Sequence, residues 1–366
     1  MAQTYYTPFV VASGQVPSTQ TDFPVLLKPT DNRFKTTGNG GHVAGANGYD
    51  LRPYSDAALA SALTFEIVPG TYSASTGTFE MWVLVPSLSD GYTVYLGYGD
   101  SSLSSDASST STWNSNFKAV YHLGDGTTLS MSDSTANALT LTNNGTTPAG
   151  TGKIDGGASL NGSSQYLSHA SASAYLPTTG MTLSAWINPS SWSADYTAVA
   201  SKQDSGSPYA SYDFRRQPGT NKMEISITIS GGEVKAASTS DVSTSTWQHV
   251  AGVYDGSNVI IYYNGASQAS TGASGNIDTS TAAFQIGENP SFSGRKFTGV
   301  LDEIRLSATG RSANWITTEY NGQSAPSTFA PTGTEVAVSA SGDAQEWMNR
   351  NFQRFRQQQQ WTSYSN

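Results

Sequence analysis

The stretch WQHVAGVYDGSNVIIYYNG, Trp247 to Gly265, decides how this chain is read. Apolar and aromatic residues run through Trp247–Tyr254 and again through Val259–Tyr263. Between them Asp255-Gly256 offers the positive φ that a tight turn requires. Two β-branched, aromatic runs joined in this way predict an antiparallel hairpin. The same grammar continues outward. Ile225, Ile227 and Ile229 alternate with Ser226, Thr228 and Ser230, the period of a strand with unlike faces. Further short runs bounded by turn residues lie at Phe117–Leu123, Ala138–Leu141, Gly157–Leu160, Tyr166–Ser168, Met181–Asn188 and Ala198–Lys202. Tyr209–Arg215, Ala283–Gly287 and Phe297–Leu306 complete the series. So many short strands predict an all-β antiparallel sandwich. A helical pattern is confined to Ala313–Asn321 and the C-terminal tail.

Composition agrees with strands and sets limits on function. Only 12% of the 366 residues are charged, against about 25% in an average soluble protein, and 36 are glycine. Coiled coils and charged helical surfaces need more Glu, Lys and Arg than this. A net charge of −9 without a basic stripe argues against nucleic-acid binding. With no cysteine there is no thiolate metal site, disulfide or thiol nucleophile. Apolar stretches such as Val259–Tyr263 are too short to span a membrane. The first residues, Met1 to Tyr6, have neither a basic nor an apolar leader region, so no secretory signal peptide is expected.

The length suggests about two domains. Residues 1–105 read as an N-terminal β-rich domain, 106–115 as a Ser/Thr-rich linker and 116–325 as the sandwich. Residues 326–366 read as a C-terminal extension with a short amphipathic helix. In that extension Asp343 and Glu346 resemble an N-cap pair, and Trp347, Met348, Phe352 and Phe355 share one apolar face. A lone helix so short needs a surface to cover it, either its own sandwich or another subunit.

Several phrases carry a family resemblance. They include Ala119-Val120-Tyr121-His122-Leu123, Asp133-Ser134-Thr135-Ala136-Asn137 and Met181-Thr182-Leu183-Ser184-Ala185-Trp186-Ile187. The Trp247–Gly265 hairpin and Gly299-Val300-Leu301-Asp302-Glu303-Ile304-Arg305-Leu306 follow in order. Together they resemble the laminin-G-like, concanavalin-A-like jelly-roll family of lectins and glucanases, over roughly residues 116–321. Upstream, Met81-Trp82-Val83-Leu84-Val85-Pro86 and Val94-Tyr95-Leu96-Gly97-Tyr98-Gly99 resemble a β-rich prokaryotic domain of unknown function that often precedes a jelly roll. The resemblance implies a concanavalin-A-like antiparallel sandwich behind a second β-rich unit.

Because the family includes glucanases, an active site has to be tested. Retaining glycosidases hold two carboxyl groups about 5–5.5 Å apart. The family's usual device is a strand reading Glu-x-Asp-x-x-Glu. Here Asp302 and Glu303 are adjacent, so a regular strand points them to opposite faces, and Arg305 shares the face of Glu303. No nucleophile elbow is present, and His42, His122, His169 and His249 are scattered. A non-enzymatic protein is expected, with no organic cofactor. The resemblance suggests a structural Ca²⁺ at Asp133, Asn137 and Asp302; an Asx turn at Asp133 is the competing reading. Sugar binding needs an aromatic face with polar partners. Candidates are Trp192, Asp195, Tyr196, Tyr209, Arg215, Asn289 and Phe292, with Asp204 and Arg295 nearby and Trp192 foremost. Trp186 and Trp247, inside strand runs, read as core.

Two function classes remain. One is a structural or adhesion component of a virus particle, such as a phage decoration, fibre or tail-associated protein, working as a homo-oligomer among other subunits and contacting surface glycans. The other is a bacterial carbohydrate-binding protein, secreted or cell-surface, exported without a signal peptide. A glycoside hydrolase is a distant third.

Overall fold

The computed structural model describes residues 3–124, 126–192, 194–206 and 209–338. The expected docking face of Trp347, Met348, Phe352 and Phe355 lies outside the described residues.

Among the described residues the sandwich consists of two antiparallel sheets. One runs Gly232–Ala237, Met223–Ile229, Tyr212–Arg216, Ala198–Ser201, Phe284–Ile286, Tyr166–His169, Thr142–Asn144. The other runs Ala266–Gly272, Asn258–Tyr263, Gln248–Tyr254, Met181–Pro189, Thr298–Ser307, Gly156–Asn161, Ala149–Thr151, with Phe117–Tyr121 also paired to Thr298–Ser307. The Trp247–Gly265 hairpin pairs Tyr254 with Val259 and Val250 with Tyr263. Its turn is held by Asp255 Oδ1, which accepts from the backbone N–H groups of Ser257 and Asn258. Between the sheets lie Met181, Leu183, Ala185, Ile187, Phe214, Ile225, Ile227, Val250, Ile261 and Leu301. Gly252 marks a place where the sheets come closest. A Cβ there would sit 2.7 Å from the Cβ of Ile225, so only glycine fits without a shift.

The N-terminal unit is built from two small sheets. One orders Gln20–Leu27, Met81–Leu88 and Phe65–Ile67. The other orders Val336–Ala337, Tyr5–Val10, Thr93–Tyr98 and Arg52–Tyr54. Its outermost strand thus comes from the far end of the described chain. Glu335 anchors that return, accepting from the Tyr98 hydroxyl at 2.6 Å and lying 2.8 Å from His42 Nδ1. Arg33 Nη1 donates to the Gly333 carbonyl at 2.6 Å. Residues 106–115, rich in Ser and Thr, pack against the N-terminal unit. Ser109 N–H donates to Phe65 O, Ser108 Oγ accepts from Ile67 N–H, and Trp113 is buried.

The two units share one core. Phe23, Trp82 and Trp113 pack in the same cluster as Val120, Ala251, Val253, Trp315 and Ile316. Every residue of Gln248–Tyr254 is therefore buried, because one side of the strand meets the sandwich interior and the other meets this second core. A strand covered on both faces loses its polar alternation. The helix Ala313–Ser324 seals the seam. Ser312 Oγ caps it by accepting from Trp315 N–H, and Trp315 packs on Phe23 with ring centres 4.6 Å apart. Trp186 is buried and donates to Gln323 Oε1 at 2.6 Å; Trp247 lies just before its strand and is half-buried, not core.

Leu301 and Ile304 both face the sandwich interior, three residues apart. A register shift opposite Ser184 and Trp186, with Glu303 at φ 51°, forms a bulge. Asp302 and Glu303 consequently leave the sandwich on the same side rather than on opposite faces.

Candidate functional site

The outer face of the seven-stranded sheet carries the residues that the sequence scattered. Asp213 and Arg215 project from Tyr212–Arg216, Glu224 and Ser226 from Met223–Ile229, and Glu233 and Lys235 from Gly232–Ala237. The loops around this face add Tyr196, Gln203, Tyr209, Phe292 and Arg295, enclosing a cleft of about 180 Å³.

Arg215 organises the cleft floor. Its guanidinium donates to Asp213 Oδ2 at 3.0 Å, Glu224 Oε1 at 2.9 Å and Glu233 Oε1 at 2.8 Å. Burial works against its charge, yet Asp213 and Glu224 hold its pKa above the ordinary arginine range. Burial also pushes Glu233 upward, but hydrogen bonds from Lys235, Ser226 and Arg215 overcome it and bring the carboxyl to about 2. The floor is thus internally paired. Asn289 lies beneath it, donating through Nδ2 to Ser201 Oγ, Gln203 Oε1 and Asp213 Oδ2.

The walls are aromatic. Tyr196 lies under two guanidinium groups, with Arg295 at 4.6 Å and Arg215 at 4.9 Å from its ring centre. Arg295 also covers Phe292 at 4.1 Å, and Phe292 meets Tyr209 edge to face at 5.6 Å. Tyr209 is 40% exposed, a large aromatic surface left open to solvent. Tyr196 and Tyr209 adopt left-handed backbone conformations, φ 60° and 53°, uncommon for bulky residues and concentrated at functional loops.

Of the sequence candidates, the structure brings Tyr196, Tyr209, Arg215 and Phe292 to the cleft, with Arg295 beside them and Asn289 under the floor. Trp192 is elsewhere. It packs edge to face on Phe297 at 6.0 Å, at the margin of the sandwich core, and donates to Val242 O at 3.4 Å. Its apolar surface is spent on that packing, so it anchors a loop. Asp195 is exposed and accepts from Arg216 Nη1 and Gly219 N–H, outside the cleft lining. Asp204 is also outside the lining, its backbone N–H donated to Ala210 O. Sequence reading missed Gln203, Glu233 and Lys235. The one signal for the last two was an acid and a base two residues apart on a strand, opposite the polar positions of Met223–Ile229.

The donor set proposed for calcium does not fit the ion. Asp133 Oδ1 accepts from the N–H groups of Val120 and Thr135, and Oδ2 from Thr135 Oγ1 and Leu139 N–H. Four protons directed at one carboxylate make an Asx-type staple and leave no lone pair for a cation. Asn137 donates its amide to Lys118 O, and Asp302 accepts from the N–H groups of Lys153 and Ile154 on another loop. Among the described residues no group of three His or acidic side chains is placed to hold a metal.

A second polar cluster lies where the units meet. Glu303 Oε1 is 2.6 Å from His122 Nδ1, and Glu303 Oε2 is 2.5 Å from Arg305 Nη2. Glu66, from the N-terminal unit, accepts from Trp113 Nε1 and Ser134 Oγ and lies 3.6 Å from His122 Nε2. Ser134 therefore points its proton at a carboxylate, not at the imidazole a nucleophilic serine would need. Asp302 and Glu303 are both buried, Asp302 under the loop of Lys153 and Ile154 and Glu303 between His122 and Arg305. Burial and the adjacent Glu303 push the Asp302 carboxyl well above its ordinary range. Burial opposes ionisation of Glu303 too, but His122 and Arg305 keep it below the usual carboxylate value.

Residues 161–317 match the family model of the concanavalin A-like lectin/glucanases superfamily. They form a lectin-like jelly-roll domain. The strands Phe117–Tyr121 and Gly156–Asn161 precede the matched range and complete its eight-stranded sheet. No curated protein matches the chain. Among solved structures, domain 4 of AbnA, an extracellular arabinanase from Geobacillus stearothermophilus in complex with arabinotriose, is 22% identical. That match covers 55% of this chain and 97% of that one, with a TM-score of 0.45. The binding domain of Paraclostridial Mosquitocidal Protein 1 is 10% identical, covering 56% of this chain and 52% of that one, TM-score 0.47. The botulinum neurotoxin serotype G binding domain is 13% identical, covering 56% and 50%, TM-score 0.44. The chain spans about half the length of these two toxin domains.

Proposed function

We propose that the jelly roll is a carbohydrate-recognition module that holds one sugar residue in the cleft between Tyr209, Phe292 and Arg295 and does not turn it over. The observation that carries this reading is Tyr209, 40% exposed and braced edge to face by Phe292. A rigid aromatic face beside paired polar groups meets both needs of sugar binding, a platform for the ring's C–H face and partners for its hydroxyls. At about 180 Å³ the cleft is below the 300–1,000 Å³ usual for drug-sized ligands, and it suits a chain end or a single residue. The burial of Asp302 and Glu303 favours a non-enzymatic role, since a polysaccharide cannot reach them there. Glycan-array binding that is lost in Tyr209→Ala tests the reading, and silence across the array overturns it.

We place the module on a virus particle, as a decoration, fibre or tail-associated component next to other subunits. The support is compositional: no cysteine, few charges and an aromatic, Arg-bearing segment from Trp347 to Phe355. Protein composition of purified particles tests it.

A further inference from the structure

We propose that the cleft selects anionic saccharides, sugars bearing a carboxylate or sulfate, through the guanidinium of Arg295. This rests on reading the cleft as a sugar site and adds the ligand's charge.

The cations of the cleft are not equivalent. Arg215 is matched by Asp213, Glu224 and Glu233. Lys235 is matched by Glu233 at 2.7 Å. Arg295 has only Asp213, at 3.7 Å, and that carboxylate oxygen already accepts from Arg215 and Asn289, each at 3.0 Å. Among the described residues no hydrogen bond is formed by the Arg295 side chain. Its donors are nevertheless held in place, because the guanidinium is fixed over Phe292 and Tyr196. The side chain is 19% exposed and lines the cleft.

A planar fork of unused N–H donors matches the two oxygens of a carboxylate or sulfate, and such charge-assisted pairs are the strong hydrogen bonds of proteins. Clamping between aromatic faces removes much of the ordering cost before the ligand arrives. The negative charges of the floor do not cancel this attraction. Asp213 and Glu224 are buried behind Arg215, and Glu233 is tied to Arg215, Lys235 and Ser226. Burial and the neighbouring Arg215 also disfavour the Arg295 charge, while Asp213 supports it, and the net result is a lowered pKa. An anion in the cleft would relieve that penalty.

The test is calorimetric titration of the full chain with matched pairs of oligosaccharides. Oligogalacturonate is compared with its methyl ester, and a sulfated galactan oligomer with its desulfated parent, each at low and raised salt. The anionic member of at least one pair is expected to bind about tenfold more tightly than its neutral counterpart. That gap should shrink with salt and vanish in Arg295→Gln, whatever that variant's absolute affinity for the neutral member, with the circular dichroism spectrum retained. Arg295→Lys, which keeps the charge and loses the fork, should retain part of it. Equal affinity for both members, lost together in Tyr209→Ala, would overturn the anionic preference and leave a neutral-sugar site. An anionic preference unchanged in Arg295→Gln would also overturn it. Binding of neither member in either pair, together with silence across the array, would overturn the sugar site itself.

Discussion

The guanidinium of Arg305, on the last long strand of the jelly roll, lies 4.2 Å from the centre of the Trp82 ring in the N-terminal unit. The same guanidinium lies 4.9 Å from the Trp113 ring and pairs with Glu303, which pairs in turn with His122. A charge that takes its partners from both units ties their stabilities together.

Arg305→Met should therefore destabilise the whole chain. Removing one partner of a buried ion pair costs about 3–5 kcal/mol, because the charge left behind is uncompensated. Denaturant unfolding followed by tryptophan fluorescence and by far-ultraviolet circular dichroism should show one shared transition moving to lower denaturant. Two separated transitions in the unmutated chain would disprove the coupling.

Stability should peak in mildly acidic solution. Burial opposes ionisation of Glu319, but His249, Arg305 and the Ser184 hydroxyl bring it from 4.5 to about 2. A depressed carboxyl stabilises above pH 4.5, and the gain is lost as pH falls towards 2. Burial likewise opposes the charge on His122, but Glu303 and Glu66 raise it from 6.5 to about 10. A raised imidazole stabilises fully below pH 6.5, and the gain is lost as pH climbs through 10. The unfolding midpoint should thus be highest between pH 4.5 and 6.5. In His122→Asn the alkaline decline should flatten while the acid limb stays; an unchanged alkaline limb would refute the assignment.

Trp192→Ala and Tyr209→Ala should separate cleanly. Trp192 packs on Phe297, so its truncation should cost about 2 kcal/mol of stability and leave sugar affinity intact. Tyr209 is the more exposed ring, so its truncation should leave the unfolding midpoint within about 0.5 kcal/mol and weaken sugar binding at least about tenfold. The opposite pattern would restore Trp192 as the platform.

Chelation should leave the melting temperature unchanged. The oxygens of Asp133 are filled by four protein donors, so a metal-free chain loses nothing there. Asp133→Ala should instead cost about 2–3 kcal/mol through unpaired buried N–H groups. A melting temperature lowered by chelator would contradict this.

What the sequence made legible follows from how many faces each strand buries. The hairpin at Asp255-Gly256 and the Ile225–Ile229 alternation were plain, because turn chemistry and period are local signals. The bulge at Glu303 was not, since nothing local distinguishes a strand residue that will accept φ 51° to reach His122 and Arg305. Trp192 looked like a platform because it stood among small polar residues, yet Phe297, more than a hundred positions away, supplied its neighbour. The cleft aromatics, Arg215 and Asn289 were legible as residue types; the carboxylates that pair Arg215 were not, because that network is assembled from three strands.

The strand Val336–Ala337 pairs with Tyr5–Val10, so the N-terminal sheet contains both the earliest and the latest described strands. A ribosome delivers the second only after the whole jelly roll has been made. The N-terminal unit must wait with an open edge while the jelly roll is made, and can close only after its neighbour has emerged. Cutting the gene between the two units would accordingly leave a first fragment without its outer strand and a second with a stranded tail.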